Sequence, residues 1–349
     1  MLVNESQYQK IIKSNFPDPA IHQPAIEGIE LAIQRLQEFG IKYQCLVLAG
    51  GWKYGETTIR DGKMYTDIDI FICSTSIPQD WRRIKQIESQ INKELDGTEI
   101  HFQGLIMQLI NKTRTLWSYR LKSEGIVLDG DENVLTQITA ETSNLPTTEA
   151  IRTLTENLIG RLWYFSTHNY EQKMEGYQLG RYYLSLGEAV LMKAGMLAPS
   201  RTERLKMLEQ VSGIDEEVMK RIKLGYEIKL TPGTKYVPIP ELGSIKDAEA
   251  AGISVLNWII STSHPLEYWI MNSKPSLSTR LLFWWRCIRA GLKPKLSVIN
   301  LNPFIMYQWA WNATQNPVDI SKWFGIEGNK YNLVEIIRRW PTPATIELE

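Results

Sequence analysis

Residues 66–73, with the sequence TDIDIFIC, constrain the fold more than any other segment of this chain. Ile68 and Ile70 alternate with Asp67 and Asp69 before the segment becomes fully apolar, a pattern typical of a strand that ends at a cleft. Residues two apart on a strand project from the same face, so both carboxylates would lie on one side, about 6–7 Å apart. At that spacing they repel each other unless a cation binds them.

Mg²⁺ fits such a carboxylate pair because it takes one or two carboxylates and fills its coordination shell with water and substrate phosphates. The pattern therefore predicts a Mg²⁺ or Mn²⁺ site at Asp67 and Asp69. Two such ions would stabilise the attacking and leaving oxygens of an in-line phosphoryl displacement. On this pattern alone, the alternative is that both side chains simply face water from a half-buried strand.

The dipeptide Gly50-Gly51 ends the preceding apolar segment, residues 43–49, which we predict to be a buried strand. Glycine lets the chain change direction without steric cost, and free N–H groups at such a corner can bind a triphosphate. A glycine pair taken alone more often marks an ordinary turn.

Around these motifs the sequence predicts alternating helices and strands. Apolar residues spaced by three and four predict a helix over residues 24–40, with Pro24 at its start and Gly40 at its end. The same criteria predict helices over 78–95 and 112–123, and strands over 98–102, 105–110 and 125–128.

The character of the sequence changes near residue 145. Long helical patterns follow over 149–167 and 178–196, and after a Pro/Gly-rich stretch at 231–243 further helical patterns cover 256–261, 276–290 and 331–339. We expect an α+β chain with a small mixed-sheet domain (1–145), a helical domain (146–230) and a Trp-rich, mostly helical C-terminal region (231–349).

Composition limits the partners. Lys plus Arg and Asp plus Glu number 39 each among 349 residues, so no overall positive field attracts nucleic acid. The three cysteines form no CxxC pair, which argues against a disulfide framework or a structural zinc site. No segment reaches the roughly 20 apolar residues of a membrane span. We expect a cytoplasmic protein without a membrane partner.

The segment LVLAGGWKYGE followed by YTDIDIFI resembles the signature of the DNA polymerase β-like nucleotidyltransferase superfamily, including its small bacterial members. In that superfamily a strand ends in Gly-Ser and the next strand carries Asp-x-Asp. The resemblance covers residues 25–135 well and 146–210 loosely, and it implies a palm-like nucleotidyltransferase domain. It also implies that Gly50 and Gly51 contact the triphosphate, while Asp67 and Asp69 bind metal.

Gly55-Glu56 also resembles the Gly-Glu that follows the glycine turn in many small bacterial members. Two features depart from the pattern. Gly51 replaces the usual Ser, which removes a hydroxyl that could donate to a phosphate. The fifteen residues between Gly51 and Asp67 make a loop at the long end of the pattern.

The superfamily places a third carboxylate on a later strand, and Glu99 in GTEIHF is our first choice, with Asp96 second. This residue would bind the metal that activates the acceptor hydroxyl or act as its general base. An exposed strand-edge Glu without a role is the alternative. His101 shares the face of Glu99 and could touch substrate, although a lone His is more often uninvolved.

Cations are expected near the triphosphate. In the loop, Lys53, Arg60 and Lys63 could neutralise phosphate charge, although exposed lysines usually contact only solvent. From the helical part, the resemblance implies one cation that reaches the triphosphate. Arg181 is preferred there, with Lys173 and Lys193 as alternatives.

The implied reaction transfers a nucleoside monophosphate from a nucleoside triphosphate, most simply ATP, to a hydroxyl on a small molecule or protein side chain, with release of pyrophosphate. RNA ends fit the neutral charge less well, and the formation of cyclic oligonucleotides is a further alternative. A catalytically inactive binding or antitoxin-like module is an alternative. So is a metal-dependent glycosyltransferase, although in that class the apolar strand precedes the Asp-x-Asp motif.

Eight of the twelve tryptophans lie after residue 250. They could stack on a base or sugar. A Trp-rich helical core is the interpretation that we favour.

Overall fold

A computed structural model describes residues 5–56, 59–60, 63–64, 67–75, 81–95, 99–111, 113–163, 175–230, 239–261, 277–301, 303–314, 316, 318–325 and 327–337. The chain divides into two units. The first comprises Met1–Leu145, Ala198–Arg204 and Leu230–Gly233, and the second comprises Pro146–Leu197, Leu205–Lys229 and Thr234–Glu349, in both cases as far as they are described.

The first unit contains a four-stranded mixed sheet. Its strands are β1 (Cys45–Leu48), β4 (Ile68–Ser74), β5 (Ile100–Ile106) and β6 (Ile126–Gly130), in the order β5-β4-β1-β6. β1 is antiparallel to both β4 and β6, and β4 is parallel to β5. A separate two-stranded ribbon joins β2 (Ile59–Arg60) to β3 (Lys63–Met64).

Three helices of this unit pack against the sheet: α1 (Gln7–Asn15), α2 (Pro19–Glu38) and α3 (Trp81–Glu94). They bury apolar side chains spaced by three and four residues, so each helix presents one apolar stripe. The stripes meet the isoleucines and Phe102 on the inner face of the sheet. The main residues of this hydrophobic core are Ile12, Ile29, Leu36, Ile84, Ile87, Ile91, Ile68, Ile70 and Ile100.

The start of α2 corrects the sequence prediction, because the helix begins at Pro19 and Pro24 lies inside it. The Asp18 side chain accepts a hydrogen bond from the backbone N of Ala20 at 3.0 Å, and Pro19 supplies the fixed φ of a first helical residue. The chain therefore has a complete N-terminal signal five residues before Pro24. The sequence analysis also missed α1, which the capping box of Ser6 and Gln9 initiates.

The region after α3 also differs from the prediction. Residues 98–102 and 105–110 were expected to form two strands, but β5 is a single strand that continues through Gly104 and is followed by the short helix α4 (Met107–Ile110). The reason is its uninterrupted parallel pairing with β4, from Ile68 opposite Ile100 to Ser74 opposite Ile106. The predicted helix over 112–123 is α5 (Leu116–Glu124). Predicted positions at 76–80, 96–98 and 112 lie outside the described residues.

The second unit is mostly helical. Its elements are α6 (Thr147–Asn157) with the π-helical turn Leu158–Trp163, α7 (Glu175–Ala194), α8 (Arg201–Leu208, begun in the first unit), α9 (Glu216–Leu230), α10 (Ile245–Ser261), α11 (Leu277–Arg289), α12 (Pro303–Ala313), α13 (Ser321–Phe324), α14 (Lys330–Ile337) and the pair β7 (Val318–Asp319) and β8 (Glu327–Gly328). Of the predicted helices, 256–261 is only the end of α10.

Several tryptophans of this unit belong to its core. Trp163 Nε1 donates to Glu249 Oε1 at 2.7 Å, and Trp311 Nε1 donates to Thr155 Oγ1 at 3.0 Å. Trp309 is also buried, whereas Trp285 is 49% exposed. Within the described ranges, no helix combines the length and apolarity needed to cross a bilayer.

Candidate functional site

The pairing of β1 with β4 places the glycine corner beside the aspartates. Leu48 lies opposite Ile70, and the N–H of Ala49 donates to the backbone oxygen of Asp69 at 3.1 Å. Continuing this antiparallel register brings Gly50 to the start of β4. The glycine dipeptide and the two aspartates therefore lie at the same end of neighbouring strands.

Gly50 has φ +93° and ψ −164°, a backbone conformation that side-chain-bearing residues rarely adopt. One 3₁₀ turn follows over Gly51–Tyr54, and the N–H of Glu56 donates to the Gly51 oxygen at 2.8 Å. The first N–H groups of such a turn have no acceptor within it. These backbone N–H groups are the hydrogen-bond donors at this corner.

Close packing explains why Gly51 is not a serine. A Cβ atom at this position would lie 2.4 Å from the backbone oxygen of Glu56 and 2.7 Å from Nη1 of Arg201. The first contact involves backbone and cannot be relieved by a side-chain rotation. The departure from Gly-Ser is therefore a steric requirement of this fold.

The parallel pairing of β4 and β5 brings acidic residues together. The N–H of Ile68 donates to the backbone oxygen of Glu99 at 2.8 Å, so Asp67 and Glu99 lie just before adjacent strand starts. Asp67, Glu99 and His101 each place one ligand atom within 4.8 Å of the other two. Asp67 is exposed, and the side chains of Glu99 and His101 are 67% and 39% exposed.

The donor types of this cluster suit a divalent ion. Two carboxylates are the ligands that Mg²⁺ and Mn²⁺ prefer, and their exposure leaves coordination positions for water and phosphate. The imidazole of His101 is a better ligand for a transition-metal ion than for Mg²⁺. Exposed acidic groups also occur commonly without an ion.

Asp69 lies beside this cluster but is not a member of it. Its half-buried side chain is on β4 opposite His101, and Oδ1 accepts a hydrogen bond from Gln103 Nε2 at 3.4 Å. The predicted alternation holds, since Ile68 and Ile70 are fully buried while the two aspartates are not. The sequence analysis missed Gln103, although its two-residue spacing from His101 places it on the same face.

The predicted cations have different locations. Lys53 Nζ donates to the backbone oxygen of Ser123 at 2.9 Å, and burial lowers the pKa of Lys53. Arg60 is on β2, but its side chain, like that of Lys63, lies outside the described residues, as does the whole of Lys173. Arg181, stacked over Tyr177 at 5.5 Å, and Lys193 are on α7 in the second unit. The roles proposed for these residues stay predictions.

Arg201 is a cation at the glycine corner that the sequence analysis did not single out. Its Nη1 donates to the backbone oxygen of Glu56 at 3.2 Å and lies 3.5 Å from Glu56 Oε2. The side chain is 14% exposed, and burial is the main cause that lowers the pKa of Arg201. This largely buried guanidinium beside Gly51 therefore forms an ion pair with the Glu56 carboxylate.

Glu56 fixes Arg201 in place. The Glu56 carboxylate accepts hydrogen bonds from the backbone N of Arg201 at 2.8 Å, and from the N and Oγ1 of Thr202 at 2.9 and 3.0 Å. It thus caps the N-terminus of α8, where a negative charge is stabilising. Glu56 stands out in the sequence as part of the Gly-Glu after the glycine turn. The sequence does not show that it bonds to Arg201, which lies 145 positions further along the chain.

A second buried ion pair lies within the first unit, at the start of α8. Arg204 is fully buried, and its guanidinium donates to the backbone oxygens of Ala198 and Pro199 at 2.6 and 2.8 Å and to the Glu124 carboxylate. These bonds satisfy a charge that would otherwise be costly to bury.

Among solved structures, the chain is similar to the spectinomycin adenyltransferase AAD(9) from Enterococcus faecialis, whose structure contains ATP and spectinomycin. The sequences are 12% identical, the TM-score is 0.45, and the match covers 66% of this chain and 99% of that one. No family model and no curated protein matches the chain.

Proposed function

We propose that this chain transfers a nucleoside monophosphate from a nucleoside triphosphate, with ATP the first candidate, to a hydroxyl group on a small molecule or a protein side chain. The observation that carries the proposal is the strand register. It sets Gly50-Gly51 beside the start of β4, while the pairing of β4 with β5 gathers Asp67 and Glu99 at the same end of the sheet.

The carboxylates would hold the ion. Asp67 and Glu99, with Asp69 alongside, offer oxygen ligands of the kind that Mg²⁺ and Mn²⁺ take. When bound, the ion would neutralise charge on the phosphates and on the oxygens that attack and leave. The contact of Asp69 Oδ1 with Gln103 Nε2 is long for a hydrogen bond, at 3.4 Å.

The glycine corner would hold the phosphates. Its N–H groups supply donors, and the buried guanidinium of Arg201 supplies positive charge next to Gly51. Arg201 is better placed for this than Lys53, whose ammonium donates to the carbonyl of Ser123. Arg201 is therefore the cation that we assign to the triphosphate from the first unit, and Arg181 stays a prediction for the second.

The acceptor would approach from the exposed side of Glu99. Its hydroxyl oxygen attacks the α-phosphorus, the bond from that phosphorus to the bridging oxygen breaks, and pyrophosphate leaves with the electron pair. The hydroxyl proton passes to water when Glu99 is a ligand of the ion, or to Glu99 when that carboxylate acts instead as the general base. The Glu99 side chain is 67% exposed, so its carboxylate is accessible to an acceptor from solvent.

The direct test incubates the purified chain with each labelled triphosphate and Mg²⁺ or Mn²⁺, and then measures pyrophosphate release and label transfer. Asp67→Asn and Asp69→Asn should each lower transfer at least about a thousandfold, because the ion loses a charged ligand. Glu132→Gln is the matched control, since Glu132 is an exposed carboxylate in the loop after β6, at the opposite edge of the sheet from β5. Unchanged transfer in either aspartate variant would refute the site.

The same experiment separates the enzyme from a binding module. Metal-dependent binding of a triphosphate without pyrophosphate release, across small-molecule and protein acceptors, would identify a fold that has kept the site and lost the chemistry. Transfer of label to RNA ends would instead identify nucleic acid as the acceptor.

A further inference from the structure

Helix α11 carries large apolar side chains on its exposed face. Leu277, Leu281, Trp285 and Ile288 are spaced by four, four and three residues, so they form one stripe along the helix. Their exposed fractions are 57%, 43%, 49% and 43%. We call these four residues the apolar stripe.

The helix is anchored through its other side. Phe283 and Cys287, one turn apart, are fully buried, and at 100° per residue they lie on the face opposite the centre of the stripe. The helix therefore packs on its unit through Phe283 and Cys287, while the stripe on its other face is exposed. Leu282 on the same helix is 37% exposed, and Leu296 in the following 3₁₀ turn is 73% exposed.

The segment that carries the stripe contains only positive charges. Residues 277–301 contain five Lys or Arg and no Asp or Glu, although the whole chain is balanced at 39 of each sign. Arg286, Arg289 and Lys293 are exposed, and the Arg289 guanidinium stacks over the Trp285 ring at 4.8 Å. By helical position, Arg286 and Arg289 border the stripe on one side.

We propose that α11 binds the surface of an anionic lipid bilayer, with the apolar stripe inserted at the level of the headgroups and the bordering cations on lipid phosphates. A basic amphipathic helix with Leu, Ile and Trp on its apolar face has this behaviour, and Trp is favoured at the membrane interface. The helix lies on the surface and does not cross it. This property goes beyond the proposed transfer reaction and does not depend on it.

Two other occupants fit less well. A second copy of this chain docked stripe to stripe would bring two sets of arginines together without an acidic residue between them in 277–301. RNA would use the arginines and Trp285, but it would leave the aliphatic side chains of Leu281 and Ile288 in water. A bilayer satisfies both the charges and the aliphatic groups.

The test is sedimentation of the full chain with vesicles of phosphatidylcholine alone or with added phosphatidylglycerol. We expect binding to the anionic vesicles and at least tenfold weaker binding to the neutral ones. Leu281→Gln/Ile288→Gln should weaken anionic-vesicle binding by about tenfold or more. Arg286→Gln/Arg289→Gln should do so by on the order of tenfold, and high salt should mimic this effect.

The matched control is Lys220→Gln/Lys246→Gln, which removes two charges from exposed positions on α9 and α10. It should bind as the unaltered chain does. Failure of the chain to sediment with anionic vesicles overturns the proposal, as does equal binding by the stripe variant. Size-exclusion chromatography without lipid adds a third check, because a dimer that the stripe variant converts to a monomer would assign the stripe to a second copy.

Discussion

The glycine corner (Gly50-Gly51) and the acidic cluster (Asp67, Glu99 and His101) lie at the same end of one sheet. The corner is packed and hydrogen-bonded more firmly than the cluster. At the corner, Trp52 is 1% exposed, and Asn15 Nδ2 donates to the backbone oxygens of Trp52 and Lys53 at 3.1 and 2.8 Å. Gly51 has no room for a Cβ atom. In the acidic cluster, Asp67 and Glu99 are exposed.

This difference follows from what each region has to do in the proposed reaction. Backbone donors must be fixed before the triphosphate arrives, because ordering them afterwards would weaken binding. Carboxylates at close range repel each other, and a cation bound between them removes that repulsion. We therefore expect substitutions at the corner to affect both folding and binding of the triphosphate. Substitutions in the cluster should affect only binding of the ion and the transfer reaction that depends on it.

The largest effect should come from introducing serine at the corner. Gly51→Ser should lower the free energy of unfolding by about 3 kcal/mol and abolish triphosphate binding, because its Cβ meets the backbone of Glu56. Gly51→Ala should behave alike. Urea unfolding measures the stability. Gly160→Ser is the control, since a Cβ at that glycine has nothing within 4 Å, and equal tolerance at both positions would contradict the account of the corner.

At the glycine corner, Arg201 should contribute to binding of the triphosphate. Arg201→Gln should raise KM for the triphosphate about tenfold to a hundredfold, because a buried, charge-assisted hydrogen bond to phosphate is lost. Steady-state kinetics with varied triphosphate measures this. Arg82→Gln, at an exposed position on α3, should leave KM unchanged. A KM for Arg201→Gln equal to that of the unaltered chain would show that this guanidinium is purely structural.

The smallest effect on stability should occur in the acidic cluster. Asp67→Asn should change the free energy of unfolding by less than about 0.5 kcal/mol, since the side chain is exposed and its loss relieves repulsion with Glu99. Urea unfolding without added metal measures this change. A destabilisation as large as that of Gly51→Ser would show that the cluster, too, is part of the fold's support.

The sequence predicted those parts of the site that depend on local patterns. Alternation along 66–73 predicted which side chains of β4 are buried, and the glycine pair predicted the corner at the end of β1. The continuity of β5 through Gly104 was not predictable, because it depends on pairing with β4 and not on local propensity. Helix α1 and the true start of α2 were missed, although their caps are local.

Arg201 was missed for a different reason. Its position beside Gly51 comes from the capping of α8 by Glu56, a tertiary contact between distant segments that no local pattern reports. The preference for Arg181 came from the resemblance alone, and its role stays a prediction, as does the division into three domains.

The most direct test of the central claim is a crystal structure of the chain with Mn²⁺ and a triphosphate that cannot be cleaved between the α- and β-phosphates. We predict an anomalous peak from manganese bound by the carboxylates of Asp67, Asp69 and Glu99. We also predict phosphate oxygens within hydrogen-bond distance of the Gly50-Gly51 backbone and the guanidinium of Arg201. A triphosphate bound elsewhere, or manganese bound away from these carboxylates, would contradict it.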